Sequence, residues 1–359
     1  MKHFAIRPQP KLSQMTKQRP SAQRGLTLVE LMVAMALSLV IAIAAVAALT
    51  VARRGFTTVD AASQLRDNGR FATDILQRLG VQAGYQDVPA ATTVRRIETG
   101  VATNPKPGVS GLNNTFRAAT DVPDAGTAWS AGDPGYGSDI LVLRYQAAET
   151  FPGSGISDRT MLNCLGSSAG NTIPADRNRD ERMVSILHVA ESQGELSLMC
   201  TSTVSGTVPG FNDIAPTAGA QPLVRGVESF QVLYGVDGTL PTAANPEPDR
   251  ADRYLRADEI IVPGDDLATN NAWRRVRSIR IGMVIRGPAG SSQDNEAQTL
   301  FPFGPAKAGA AAAKGSAFVS ANDPGTSFTT PTDGRLRQVV TFTIHLRNFQ
   351  DQCAGTTCS

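Results

Sequence analysis

From Leu31 to Ala52 the chain carries no charged residue, and only Ser38 and Thr50 interrupt the apolar side chains. Ala, Leu, Val, Ile and Met dominate the run, and no Pro or Gly breaks it. At about 1.5 Å of rise per residue it makes a helix of roughly 33 Å, long enough to cross a bilayer. One carboxylate, Glu30, stands at its edge. A charge there is costly in lipid and calls for a partner or a function.

The residues before the run are of opposite character. Met1 to Gly25 hold six cations (Lys2, Arg7, Lys11, Lys17, Arg19 and Arg24) and no acid. That asymmetry keeps the N-terminus in the cytoplasm and sends the C-terminal bulk across the membrane. An ordinary secretory signal places its cleavage site beyond the apolar core. Here the candidate site, Gly25, lies before it, so a cut would remove the charges and keep the hydrophobic helix.

Arg24-Gly25-Leu26-Thr27-Leu28-Val29-Glu30, set between the basic leader and the apolar span, resembles the class III signal of type IV pilins and type II secretion pseudopilins. The resemblance implies that a prepilin peptidase cleaves between Gly25 and Leu26 and methylates the new Leu26 amine. It also implies that Glu30, fifth in the mature chain, pairs with the N-terminal amine of a neighbouring subunit. The physical chemistry agrees. An ammonium at a helix N-terminus opposes the dipole, a carboxylate there favours it, and pairing them in lipid leaves neither charge isolated.

Loss of the leader changes the charge balance. Removing six of the 34 Lys and Arg leaves 28 against 32 Asp and Glu, or −4 in place of +2. No basic patch then points to nucleic acid. The 33 Gly and 22 Pro suit a loop-rich domain of short strands. All four cysteines (Cys164, Cys200, Cys353 and Cys358) follow the membrane span, on the oxidising side, and read as two structural disulfides. Three pairings are open; the favoured one joins Cys164 to Cys200 and Cys353 to Cys358.

Arg53 and Arg54 mark the exit from the bilayer, and Gly55 is placed to kink or loosen the helix. Beyond it Val59, Ala62, Leu65, Ala72, Ile75, Leu76 and Leu79 recur at helical spacing, and Gly80 and Gly84 read as stop signals. One helix is therefore expected over 26–85, transmembrane to about Ala52, with a second half that covers a sheet. Residues 86–138 read as a connecting region with short elements. A β-rich head is expected over 139–359.

Strand-like runs in the head cover Ile140 to Tyr145, Met183 to Val189 and Leu196 to Thr201. Phe230, Val232 and Tyr234 share one face of a further run. Ile279, Ile281, Met283 and Ile285 alternate with polar or small residues, as do Val340, Phe342, Ile344 and Leu346. Together they predict an antiparallel sheet with one face to a core and one to water. The connections are long, and Lys307 to Lys314 is an Ala-rich insert that reads as mobile or weakly helical. The fold class is α+β, pilin-like.

Further motifs narrow the resemblance. Asn68-Gly69-Arg70-Phe71-Ala72 leading to Ala83-Gly84-Tyr85, Asp139 to Tyr145, Asn163-Cys164-Leu165-Gly166 and Leu198-Met199-Cys200 are similar to PilW-type minor pilins. Gly226-Val227-Glu228 through Tyr234-Gly235, Trp273 to Arg277 and Ile281 to Arg286 continue the match in order. The Ala-rich insert and residues 86–138 lie outside it. The resemblance implies a low-abundance pilin in the complex that primes pilus assembly and sits at the tip. The implied partners are other minor pilins, the major pilin, the prepilin peptidase and the inner-membrane platform, with a tip adhesin as a further candidate. The implied location is the inner membrane with a periplasmic head, then the fibre.

Candidate chemistry in the mature chain is sparse. Its two histidines, His188 and His345, fall in strand-like runs and read as structural. No Gly-rich phosphate-binding loop precedes a helix. Asp176-Arg177-Asn178-Arg179-Asp180 begins like a calcium loop. Glu181 then replaces the turn Gly and Leu187 the last ligand, so a solvated charged loop is expected, with no metal or cofactor. Gly264-Asp265-Asp266 reads as a polar turn. A structural, non-enzymatic role is the expectation. The alternatives are a type II secretion pseudopilin and, further off, a membrane-anchored periplasmic enzyme.

Overall fold

The structure, a computed structural model, describes residues 25, 27–85, 104, 106–118, 121–146, 148, 150–151, 154, 156–168, 183–203, 219–237, 251, 253–292, 294–304 and 327–348. The chain forms two compact units, Met1–Gly55 and Phe56–Ser359.

The described part of the first unit is the start of helix α1 (Leu28–Gln82), which is continuous through Gly55. Every residue from Leu28 to Gly55 is exposed, and α1 is long and apolar enough to cross a membrane. Its two polar interruptions are satisfied within the helix. The Ser38 hydroxyl donates to the Ala34 carbonyl (2.7 Å) and the Thr50 hydroxyl to that of Ala47 (2.8 Å). Neither therefore needs water, as a lipid-facing side chain requires.

The second unit contains the rest of α1 and two principal antiparallel sheets. The first, in spatial order β1 (Val109–Leu112), β4 (Ile140–Tyr145), β5 (Met183–Ser192), β6 (Glu195–Thr203) and β7 (Gln221–Arg225), has five strands. The second, in the order β13 (Arg337–His345), β10 (Val276–Arg286), β8 (Val227–Val236) and β9 (Arg253–Leu255), has four. Two short pairs, β2 (Thr115–Phe116) with β3 (Thr127–Ala128) and β11 (Thr299–Leu300) with β12 (Phe328–Thr329), lie in the connections. Helices α2 (Ala257–Ile260) and α3 (Asp266–Arg274) follow β9.

The strands are therefore divided between two sheets where the alternation of residues suggested one. The expected wet face is also dry in the middle strands: all six residues of β4 and all ten of β8 are buried. In the five-stranded sheet Leu141, Leu143 and Leu187 join the main core on one face, while Ile140, Val142, Val184 and Ile186 form a separate cluster on the other. The covering of that second face comes from the supposed connecting region. Gly126 lies against Ile140, and Asp124 pairs with the wholly buried Arg144 (2.5 Å), which also donates to Ser110 (2.8 Å). Residues 109–112 supply a strand of the sheet itself, in register Val109↔Leu143 to Leu112↔Ile140. Weak periodicity hid that strand.

Helix α1 buries Ala61, Leu65, Gly69, Ala72, Leu76, Leu79 and Gly80. The stripe is shifted from the expected one: Val59 is exposed, and Ala62 and Ile75 are half-buried. The cause is the pair of glycines. An added Cβ would stand 2.9 Å from a Val340 methyl at Gly69 and 2.6 Å from an Ile344 methyl at Gly80, so β13 approaches the bare helix backbone at both points. Gly80 is thus a packing residue inside the helix and not a stop. Gly84, at φ +75°, does end the helix, as glycine does in the left-handed region. The Asn348 amide then donates to the carbonyls of Val81 and Ala83 (3.1 Å each), and the Gly84 N–H donates to Arg144 O (2.8 Å). The last turn of α1 is thereby tied to both sheets.

Candidate functional site

Gly25 is exposed and precedes the helix; residues 1–24 and Leu26 lie outside the described residues. Glu30 sits in the first turn of α1. Its N–H donates to the Thr27 hydroxyl (3.3 Å), and its Oε2 accepts from the Thr27 N–H (3.0 Å) and hydroxyl (3.1 Å). This reciprocal pair is a capping box, which satisfies two amides that a helix start otherwise leaves open. The signal for it, Thr-x-x-Glu ahead of an apolar run, is legible in Thr27-Leu28-Val29-Glu30. Oε1 has no partner among the described residues, so one carboxylate can cap its own helix and still accept from an external cation.

Within the second unit, chain and charge converge where the two sheets meet. Gly226 alone separates β7 from β8 and carries the chain from one sheet to the other at φ +81°. Its N–H donates to Leu196 O (2.8 Å), its carbonyl accepts from the Arg286 N–H (2.7 Å), and an added Cβ would stand 2.6 Å from the Arg286 carbonyl. Beside this corner three acids and three arginines alternate in a closed ring. Glu195 accepts from Arg286 (2.7 Å) and Arg286 donates on to Glu228 (3.1 Å). Glu228 accepts from Arg337 (2.6 Å), which also donates to Asp333 (2.7 Å). Asp333 faces Arg335 at 3.8 Å, and Arg335 returns to Glu195 (3.3 Å).

Glu228 is fully buried and Arg337 almost so, yet both are paired. Hydrogen bonds from Arg337 hold the Asp333 carboxyl below its ordinary value despite partial burial. Burial pushes the Glu195 carboxyl up, but Arg286 and Arg335 outweigh it and bring it below the usual range. The ring is neutral overall and joins β6 of one sheet to β8, β10 and β13 of the other. Its chemistry is structural.

Cys164 and Cys200 form a disulfide with Cα atoms 5.9 Å apart, fastening a turn to β6. The turn is seated by the Cys164 N–H donating to Ser185 Oγ (3.1 Å) and by Asn163 donating to Ser202 (3.1 Å). The Leu162 N–H donates to the Gln82 side chain (2.9 Å), at the end of α1. Cys353, Cys358, the Asp176 to Asp180 stretch and the Ala-rich insert lie outside the described residues. His188 is buried on β5 beside Thr201 (3.2 Å), whereas His345 is exposed at the end of β13. Burial, reinforced by the charge of Arg117, lowers the His188 pKa to about 4. Asp265, expected in a polar turn, is the N-cap of α3 and accepts from the Ala268 N–H (2.8 Å). Among the described residues no group of three or more His, Cys, Asp or Glu is placed to hold a metal.

Comparison with known proteins gives two family matches. The family described as prokaryotic N-terminal methylation motif covers residues 20–46, the segment that contains Gly25, Thr27 and Glu30. The family described as type IV pilus-assembly protein W covers residues 187–348, from β5 to the Asn348 cap. The two matches together support a PilW-type pilin. All six residues of the charge ring lie inside the PilW match, as does Gly226. No curated protein matches the chain significantly. Among solved structures, a type IV-like pilin from Thermus thermophilus is similar at 13% identity and a TM-score of 0.34, covering 79% of this chain and 98% of that one. A PilW match combined with a prepilin motif supports a pilus-related role.

Proposed function

We propose that this chain is a minor pilin that takes part in initiating type IV pilus assembly, within a complex at the tip. Prepilin peptidase cleaves after Gly25 and methylates the Leu26 amine. The remaining helix waits in the inner membrane, with the β-rich head in the periplasm, until the assembly platform draws it among the helices of other minor pilins and the major pilin. Heterologous packing of such helices does not close, so it propagates as a helical filament.

The single observation that carries this reading is the N-terminal constellation, in which a methylation-motif match coincides with the Thr27–Glu30 cap. With Oε2 engaged at Thr27, the Glu30 carboxylate is held at the helix N-terminus, and Oε1, which has no partner among the described residues, can accept the ammonium of a neighbouring subunit.

Intact-mass analysis of the membrane-extracted protein is the test. A mature chain that starts at Leu26 with one added methyl group is expected, and Gly25→Ala retains the full leader. Glu30→Ala is still cleaved but enters fibres poorly. Loss of fibres with type II secretion intact in a deletion strain distinguishes a pilin from a pseudopilin. A wild-type chain that keeps Met1 beside an active peptidase refutes the assignment.

A further inference from the structure

β13 is the terminal strand of its sheet, and its nine residues pair with β10 in unbroken register from Ser278↔His345 to Arg286↔Arg337. The Leu346 N–H donates to Arg277 O (3.0 Å) and Leu336 O accepts from the Gly287 N–H (2.8 Å), so even-numbered residues bond inward. The two-residue period then turns the N–H and C=O of Val339, Thr341, Thr343 and His345 to the outer edge. No hydrogen bond from these backbone groups is present among the described residues. Proteins usually protect such an edge with Pro, Lys, an inward charge or a bulge. Arg337 to His345 contains no Pro or Lys, its pairing with β10 has no bulge, and its one permanent charge, Arg337, is bound into the ring.

A groove that opens to solvent runs beside this edge, lined by Arg66, Arg70, Thr73 and Asp74 of α1 and by Gln338 and Val340 of β13. Arg66 and Arg70 are exposed, and neither has a carboxylate partner among the described residues. A strand added outside β13 would place alternate side chains in the groove, where two guanidiniums favour an acid and Asp74 disfavours one a turn further on.

The direction of α1 restricts the occupant. Gly69 meets Val340, Gly80 meets Ile344 and Asn348 reaches Val81 and Ala83, so this part of α1 and β13 run the same way. Two copies joined symmetrically through β13 would have antiparallel strands, and their Phe56 ends would lie at opposite ends of the pair. Both chains could not then be rooted in one membrane.

We propose that the outer edge of β13 and its Arg66–Arg70 groove bind an extended acidic segment of a different pilin-like subunit, added to the sheet as a further strand. This rests on the pilin reading above and names the mode of contact within it. Main-chain bonds supply the binding, and the groove supplies the preference for an acid.

The test is photo-crosslinking in cells that also make the other prepilin-signal proteins, from p-benzoylphenylalanine at position 338 of the full chain. An adduct with another subunit is expected, mapped to an extended segment that contains Asp or Glu. Thr343→Pro removes one outward donor and leaves the β10 pairing, since Pro is tolerated on the open side of an edge strand. It should reduce the adduct about tenfold, the effect of losing a hydrogen bond of ordinary to charge-assisted strength, while Thr343→Val does not. Arg66→Glu with Arg70→Glu, both on the surface, should reduce it similarly, and reversing the partner's acid to Arg should restore it. The proposal is overturned by an adduct with a second copy of this chain, by one mapped to a helix, by yields unchanged in both variants, or by no adduct from a correctly processed chain in the fibre fraction. The mass of the chain is read from the same sample. A retained leader refutes the pilin reading and this inference with it; a processed, fibre-borne chain without the adduct refutes the inference alone.

Discussion

Glu228 takes a full charge into the core, where an unpaired carboxylate would be excluded, and is held there by Arg286 and Arg337. Removing Glu228 leaves Arg286 with Glu195 and Arg337 with Asp333 but the ring one positive charge in excess, a loss bounded by about 3–5 kcal/mol, the cost of breaking a buried pair. Glu228→Ala should therefore lower the thermal midpoint of the detergent-solubilised chain sharply; a shift like that of an exposed acid would show that the ring contributes little. His188 acts in the opposite sense, as a base kept neutral by burial. The unfolded chain takes up its proton below about pH 6.5, while the folded chain resists until about pH 4. Stability is thus complete above the unfolded value and declines as the pH falls through this window, by about 3 kcal/mol in all. The carboxylates held low, Glu195 and Asp333, stabilise fully above their ordinary values and lose that contribution only as the pH falls below them. Denaturation of His188→Gln from pH 7 to about pH 5 should lack the decline that the parent chain shows.

At the scale of the element, α1 combines two designs in one helix. Its first part is exposed and, from Leu31 to Ala52, apolar but for Ser38 and Thr50, and its second presents a narrow stripe floored by glycine. In an open helix Gly→Ala gains about 1 kcal/mol. Gly55, with no atom within 4 Å of an added Cβ, should follow that rule. Gly80 should not, because its Cβ would stand 2.6 Å from the buried Ile344 side chain. There the overpacking term, about 1–3 kcal/mol, exceeds the propensity gain. Gly55→Ala should leave the midpoint of the head unchanged or raised, and Gly80→Ala should lower it. Equal effects at the two positions would contradict the close approach of β13 to α1.

In the head as a whole, three devices join the two sheets. They are the Gly226 corner, the charge ring and the segment around Asp139. The Asp139 carboxylate accepts from the N–H groups of Asn114 (3.0 Å) and Val232 (2.7 Å), and its own N–H donates to Phe230 O (2.8 Å), which stitches the free side of β8 to the start of β4. The Cys164–Cys200 disulfide adds a covalent tie across 36 positions, and a loop of that length restrains the unfolded chain by about 4 kcal/mol. Replacing both cysteines by Ala should lower stability by that order while the fold persists, since the turn keeps its bonds to Ser185 and Ser202. Collapse of the far-ultraviolet spectrum in that variant would instead make the bridge a condition of folding.

Sequence alone determined the membrane-length helix and most of the long strands, and it is the source of the proposed leader and its cut after Gly25. Each depends on neighbours along the chain: an uncharged run of residues, a contrast of charge at its edge, or a period of two. β4 coincides with the expected run from Ile140 to Tyr145 for that reason. Tertiary structure decided what depends on distant partners. Residues 109–112 became a strand because β4 offered an edge, although their own periodicity is weak. The α1 stripe moved because Val340 and Ile344 seek the glycines. Glu228 and Arg337 stand 109 positions apart, Glu195 and Arg335 140, and Asn348 lies 267 beyond the carbonyl it caps at Val81. A pairing over such distances leaves no periodic trace, because its energy comes from burial and proximity that exist only after the two sheets have met.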